Sequence, residues 1–284
     1  MADNRIYTFL KLCELMNYRQ TAAALNMTQP SVTQHIHYLE EEYDCKLFNY
    51  HNRVLTKTPQ CIKLETYARS MLYNEKMFME DLHRPAAISL SIGATKTIGD
   101  YTMEDLVIKL LNRKDISLEL IIDNTENLLS RLNALKLDLL LIEGFVDKNI
   151  YSHKLIKKEE LIGICSPHHR FSGLEVSLEE LFREHLIQRE DGSGTRAIFE
   201  NFLFSKGYSS NNFSKVSRIS SFKLIEQAVL HNCGISFVYE SIPKKNPELS
   251  TFRIKNEKIF HEFNFVYLKN TTIDEYLKII QNYF

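Results

Sequence analysis

The stretch Thr21–Glu42, TAAALNMTQPSVTQHIHYLEEE, reads as two short helices with a tight break between them. Three consecutive alanines, Ala22, Ala23 and Ala24, followed by Leu25, predict a helix that lets a second helix approach closely. Asn26 suits the left-handed conformation in which many helices end. Thr28 is a good N-cap for the next helix, and Pro30 fits a first turn, where its missing N–H costs little. Helical spacing turns Val32, Ile36 and Leu39 inward and Pro30, Thr33, Gln34, His37 and, at the edge, Tyr38 outward. An outward face of amide, hydroxyl and imidazole groups can read base edges in a DNA major groove. That arrangement is a helix-turn-helix with the second helix as reader.

The next segment extends the reading. Lys46 to Leu64 holds Lys46, Arg53, Lys57 and Lys63 and no acidic residue. Val54-Leu55-Thr56 within it suits a short β-wing whose bases would meet phosphate or the minor groove. Glu40-Glu41-Glu42 is expected to face away from DNA. Residues 1–83 carry 9 Lys/Arg and 10 Asp/Glu, so total charge does not advertise DNA and local segregation does. On periodicity alone, a plain helical bundle with a polar face fits as well.

Length and composition bound the rest. The chain has 284 residues, 44% hydrophobic residues and a net charge of -1. That is room for a small and a larger domain, and it excludes a polycation that coats nucleic acid. No basic run followed by an apolar stretch opens the sequence, and no apolar run approaches the ~18 residues of a membrane span. The expected place of action is the cytoplasm, without a membrane partner. The five cysteines, at 13, 45, 61, 165 and 233, form no CxxC pair, so they read as small buried hydrophobes. No cofactor is expected.

Ile6, Phe9, Leu10 and Cys13 recur at helical spacing near the start. A long helix is predicted over 60–82, with Leu64, Ala68, Met71, Glu75, Phe78 and Leu82 alternating steps of four and three as in a coiled-coil seam. From His83-Arg84-Pro85 onward the pattern changes to strands alternating with helices. Strands are predicted at 88–94, 116–123, 137–144, 160–166, 185–190, 234–240 and 262–268, with helices near 99–112, 126–136 and 272–284. Such alternation argues for α/β units around parallel sheets.

The N-terminal stretch resembles the winged helix-turn-helix of LysR-type transcriptional regulators. The resemblance is carried by Tyr18, Thr21-Ala22, Leu25, Thr28-Gln29-Pro30-Ser31, Ile36, Leu39-Glu40, Lys46-Leu47-Phe48, Arg53 and Leu55-Thr56, continuously over about 60 residues. It implies DNA contacts from Gln29, Pro30, Ser31, Thr33 and Gln34, with Arg53 in the wing; the outward face adds His37. The family often has Arg where Gln34 stands, and commonly Gly where Asp44 and Pro59 stand. Because Asn and Gln pair best with adenine, an A·T-leaning site is expected. The helix over 60–82 corresponds to the family's linker helix, which implies a homodimer on an interrupted palindrome. Dimers of dimers are usual in the family.

The resemblance also implies the overall plan. The fold class is α/β, with a mainly α winged helix-turn-helix over 1–58, a linker helix and hinge over 59–87, and an effector-binding domain over 88–284. That domain is expected as two α/β lobes of periplasmic-binding-protein type, one about 88–160 with 267–284, the other about 161–266. Ligands in such folds sit in the crevice at strand ends. Four stretches should line it: GATKTIGDY (93–101) with Thr95 and Thr97, DNTENLLSRL (123–132) with Asn124 and Thr125, IEG (142–144) with Glu143, and EDGSGTRAIFE (190–200) with Ser193, Thr195 and Arg196. Each also has a local reading, since Thr and Asn cap helices and Gly makes turns. The Gly-Ser-Gly-Thr-Arg run is similar to the family branch that answers to small anions or phosphorylated metabolites in sulfur assimilation and carbon fixation. A small anionic effector is therefore expected.

Two other classes compete. An enzyme could hold a substrate phosphate on Gly-Ser-Gly-Thr, but the Lys of a phosphate loop and a nucleophile–base pair are missing from the sequence. A solute-binding protein would not need the helix-turn-helix. His168-His169 lacks carboxylates or cysteines at ligand spacing and reads as solvated rather than as a metal site.

Overall fold

The computed structural model describes residues 3–51, 54–82, 88–143 and 146–281. Asn52 and Arg53, the latter expected in the wing, and the expected hinge at 83–87 lie outside the described residues. The chain divides into two compact units: Met1–Ala86 with Asp147–Ser152 and Tyr267–Glu275, and Ala87–Val146 with His153–Val266 and Tyr276–Phe284.

In the first unit, α1 (Asn4–Leu15), α2 (Tyr18–Ala24) and α3 (Gln29–Glu42) precede a hairpin of β1 (Phe48–His51) and β2 (Val54–Lys57), and α4 (Pro59–Leu82) follows. Asp3 caps α1 by accepting from Arg5 N, and Asn17 caps α2 by accepting from Arg19 N and Gln20 N. Phe9, Leu12, Val32, Ile36, Leu39 and Leu47 form the core. Each such side chain contributes about 1.5–3 kcal/mol on burial. The alanine reading needs correction. In α2 the buried residues are Thr21 and Ala22, while Ala23 and Ala24 are exposed, because a helix of only seven residues turns one narrow stripe to its neighbours. Asn26 has φ 53 as expected, and Asp44, at a place where the family commonly has Gly, has φ 46.

The hairpin pairs antiparallel, from Phe48 opposite Lys57 to His51 opposite Val54. Thr58 starts α4, its hydroxyl accepting from Cys61 N at 3.0 Å. Ala68 is buried, whereas Leu64 and Met71 are half-buried and Phe78 and Leu82 exposed, so the expected seam splits between a packed and an open face.

The second unit begins with β3 (Ile88–Thr95), which pairs parallel with β4 (Ile116–Asp123) and with β5 (Leu139–Ile142). The expected single helix over 99–112 is two: α5 (Lys96–Tyr101) and α6 (Glu104–Leu111). Glu104 and Asp105 in the first turn of α6 favour a new helix start. Helix α7 (Thr125–Asn133) follows β4. Strand β6 (Tyr151–Cys165) leads to β7 (Glu175–Val176), α8 (Leu178–Leu181), β8 (His185–Gln188), α9 (Gly194–Ser205), β9 (Lys215–Arg218), α10 (Phe222–Leu230), β10 (Ser236–Tyr239), α11 (Ser241–Lys245), β11 (Ser250–Ile254), β12 (Ile259–Leu268) and α12 (Asp274–Gln281). The main sheet runs β4-β3-β5-β12-β6-β11-β7, with β10 also on β6, and β8 pairs with β9 beside it. It is mixed rather than parallel: β12 runs antiparallel to β5, and β10 and β11 antiparallel to β6. The ends of β3, β4, β5 and β8 and the start of α9 carry the residues expected to line an effector crevice.

Candidate nucleic-acid interface and effector crevice

The reader helix is fixed at both ends. Thr28 Oγ accepts from Ser31 N at 3.3 Å and lies 2.8 Å from Ser31 Oγ. Gln29, Pro30, Gln34 and His37 are exposed, and Ser31 and Thr33 are half-buried. The Thr33 hydroxyl donates to Gln29 O at 3.1 Å, so it offers a methyl group and an acceptor outward. His35 is drawn inward to Thr8, 2.9 Å from its hydroxyl. The Arg5 guanidinium covers the Tyr38 ring at 3.5 Å. Of the sequence-predicted contacts, Arg53 lies outside the described residues.

Glu40 does not face solvent with Glu41 and Glu42. It is 8% exposed. Its carboxylate accepts from Leu47 N at 2.8 Å and from Lys46 Nζ at 2.7 Å, tying the end of α3 to the segment that leads into β1. Burial pushes its pKa up, but the hydrogen bonds from Lys46, Leu47 and Phe48 outweigh this and hold it below the usual carboxylate value. Lys57 is likewise paired, 2.7 Å from Glu65, which also holds Arg69 at 2.7 Å. Two of the four basic residues read as a DNA-facing set are thus matched within the chain.

Of the residues expected to bind an effector, Thr95 ends β3 and Thr97 lies in the first turn of α5, both buried. Thr95 donates to the Glu143 carboxyl just beyond β5. The hydroxyls of Thr97 and Thr195 lie 3.2 Å apart and hydrogen-bond to each other. Glu143 is 2% exposed. Burial raises its pKa to about 7, against the lowering pull of Thr97, Arg189 and Thr195. Asn124 caps α7 by accepting from Asn127 N at 2.8 Å, and the Thr125 hydroxyl is buried without a partner among the described residues. Gly192 takes φ 81 in the turn before α9, a conformation that favours glycine. Ser193 then caps α9 by accepting from Arg196 N at 3.4 Å. Arg196 is itself held, 2.5 Å from Asp191 and 2.8 Å from Glu200, so its charge is matched locally.

Several residues of this region carry no turn or cap signal and escape sequence reading. Arg189 Nε sits 2.8 Å from Glu190, and Lys96 Nζ 3.0 Å from it. Burial raises the Glu190 pKa, but Arg189 and Lys96 bring it down to about 2. Gln188 is buried with both amide atoms unpartnered among the described residues, as is the Tyr239 hydroxyl. A cavity of about 600 Å³ opens beside α5 and α10, lined among others by Lys96, Tyr101, Ser220, Phe222 and Glu226. Tyr101 donates to Glu226 at 3.0 Å there. A smaller one of about 200 Å³ lies over the start of α9, against Thr125, Gly192, Ser193 and Arg196. His169 is pinned 3.3 Å from Glu184 and accepts from Phe171 N, so it orders a turn. No group of three or more His, Cys, Asp or Glu side chains among the described residues could hold a metal ion. No described helix is long and apolar enough to cross a membrane.

Two family models match the sequence: the bacterial regulatory helix-turn-helix protein of the lysR family over residues 4–61, and the LysR substrate binding domain over 83–279. The chain belongs to the LysR family of transcriptional regulators. Among its relatives is the HTH-type transcriptional regulator CysL of Bacillus subtilis, 28% identical over 268 residues, with 92% of this chain and 89% of CysL covered. Two solved structures share the fold. OxyR of Corynebacterium glutamicum, as an H2O2-bound cysteine-to-serine mutant, is 21% identical with TM-score 0.61, covering 98% of this chain and 91% of that one. The regulatory domain of CcmR from Synechocystis PCC6803, solved with 2-PG, is 20% identical with TM-score 0.60, covering 68% of this chain and 96% of that one. As a LysR-type regulator the chain has DNA as its partner through the helix-turn-helix.

Proposed function

We infer that this regulator binds an interrupted, A·T-leaning palindrome as a homodimer, and that a small anion in the crevice alters the complex. The observation that carries the DNA part is the division of α3: Gln29, Gln34 and His37 are exposed, while Val32, Ile36 and Leu39 are buried. Gln29, Pro30, Ser31, Thr33, Gln34, His37 and Arg53 make up the proposed contact set. Exposed apolar residues along α4, among them Tyr67, Phe78 and Leu82, support pairing of two such helices. Pairs of dimers would then bend the DNA between them. The proposed division is a DNA-binding domain over 1–58, a linker over 59–87 and an effector domain over 88–284.

An oxyanion is supported by the hydroxyls of Thr95, Thr97 and Thr195 and by the start of α9 at Ser193, where backbone N–H groups and the helix dipole favour negative charge. Asn124, Thr125, Glu143 and Arg196 complete the proposed effector set. CcmR, solved with 2-PG, is a relative in fold that holds a small ligand. The chain acts by binding rather than turnover, in keeping with relatives that are transcriptional regulators. The anion would act on an equilibrium between arrangements of the two lobes, and it can shift that equilibrium only by its differential affinity for them. Selection of bound duplexes from a random library, followed by footprinting, tests the DNA reading. Recovery of two symmetric half-sites is the expected result, and recovery of no common sequence would remove it.

A further inference from the structure

We propose that the cavity of about 600 Å³ beside α5 and α10 binds a zwitterion: an ammonium and a carboxylate on a small apolar body, as in an apolar amino acid. Its volume lies within the range of small-molecule sites. None of its lining residues belongs to the proposed effector set, so the site stands apart from the anion reading. Two carboxylates line it, Asp100 near the end of α5 and Glu226 in α10. Glu226 is 9% exposed, and it accepts from the Tyr101 hydroxyl at 3.0 Å, a neutral donor. The nearby cations are engaged elsewhere. Lys96 Nζ lies 3.0 Å from Glu190 and donates to Ser220 O at 3.3 Å. Arg189 covers the Phe222 ring at 4.2 Å while its Nε sits 2.8 Å from Glu190. Among the described residues no cation forms an ion pair with Asp100 or Glu226. A carboxylate held largely out of water is costly without an opposite charge, and an ammonium group brings that charge with three N–H donors.

The same cavity offers the opposite charge at the start of α10. Ser221 caps that helix by accepting from Leu224 N at 3.4 Å, which leaves its hydroxyl proton for a ligand. Backbone N–H groups of the first turn favour a carboxylate there. Lys223, in that turn, lines the cavity, is exposed, and pairs with no carboxylate among the described residues. Glu226 stands four residues along α10 from Phe222, one turn or about 5 Å, so one compact ligand meets both charges. Between them the wall is apolar: Tyr101 and Phe222 pack edge to face at 5.6 Å, and Ile122 is 40% exposed beside them. A plain anion would meet Asp100 and Glu226, and a plain amine would meet Lys223 and the helix start. A zwitterion matches both ends.

The test titrates the full chain by calorimetry with L-leucine, L-methionine and L-phenylalanine, up to millimolar concentration. At least one is expected to bind. For the tightest, the amine left by removing its carboxylate and the acid left by removing its ammonium are each expected to bind about tenfold more weakly or worse. Asp100→Asn and Glu226→Gln are expected to weaken the amino acid about tenfold and Lys223→Gln to weaken it severalfold. Lys223→Gln is expected to leave the amine's affinity unchanged or improved. No binding by any of the three amino acids overturns the proposal. So does an amine or acid that binds as tightly as its parent, which makes the cavity a site for one charge only. Binding that survives all three substitutions lies elsewhere and overturns it too. If Glu226→Gln fails to fold, Asp100→Asn, at an exposed position, decides the ammonium end.

Discussion

Glu40 accepts from the backbone N–H of Leu47 at 2.8 Å, so one buried carboxylate joins the last turn of α3 to the residue that leads into β1. Glu40→Ala leaves that N–H unsatisfied and is expected to lower stability by about 1–3 kcal/mol. The pH dependence has a definite sign. Its folded pKa lies below 4.5, so its stabilisation is present above that value and is lost as pH falls through the folded pKa. Urea unfolding of wild type and variant at several acidic pH values reads both effects.

Glu143 has the opposite sign. Its folded pKa of about 7 stands above the ordinary 4.5, so wild-type stability is full below about 4.5 and declines as pH rises through about 7. A shift of this size corresponds to about 3 kcal/mol. Glu143→Gln is expected to abolish the decline, seen as an unfolding midpoint in ligand-free protein that no longer falls between mildly acidic and alkaline buffer.

Gln34 is exposed on the outward face of α3. Gln34→Ala is expected to relax base preference at one position in each half-site by about 1–3 kcal/mol, and Gln34→Arg to turn it towards guanine. Sequencing of duplexes selected by each variant reads the change directly. An unaltered consensus would place Gln34 outside the groove.

Phe78 is 60% exposed on α4. Phe78→Glu is expected to leave the unfolding of each protomer within about 0.5 kcal/mol of wild type and to shift sedimentation towards monomer. A variant that sediments as wild type would exclude this face from the contact.

Much of the first unit was legible in the sequence because its signals are local. Thr28, Pro30 and the spacing of Val32, Ile36 and Leu39 announce α3 within a dozen residues. Glu40 was not legible as a buried tie, since its partners are backbone groups of a strand that returns through a left-handed Asp44. The same applies to the crevice. Thr97 and Thr195 each stood out beside a strand end, but their 3.2 Å approach joins positions 98 residues apart. Gln188, Arg189 and Tyr239 escaped because they extend short apolar strands and carry no turn chemistry of their own. Arg189 and Glu190, two opposite charges directly after a buried strand, were the available hint.

The internal pairs Lys46–Glu40 and Lys57–Glu65 also set how this protein meets a polyanion. Each phosphate that a cation neutralises releases condensed counterions, and log affinity then falls with log salt by about 0.9 per contact. A lysine already matched by a carboxylate releases little. The salt slope should therefore be shallower by about two contacts than a tally of wing lysines gives. Binding to random DNA is then expected to weaken, which would leave discrimination between operator and bulk genome to groove contacts that persist as ionic strength rises.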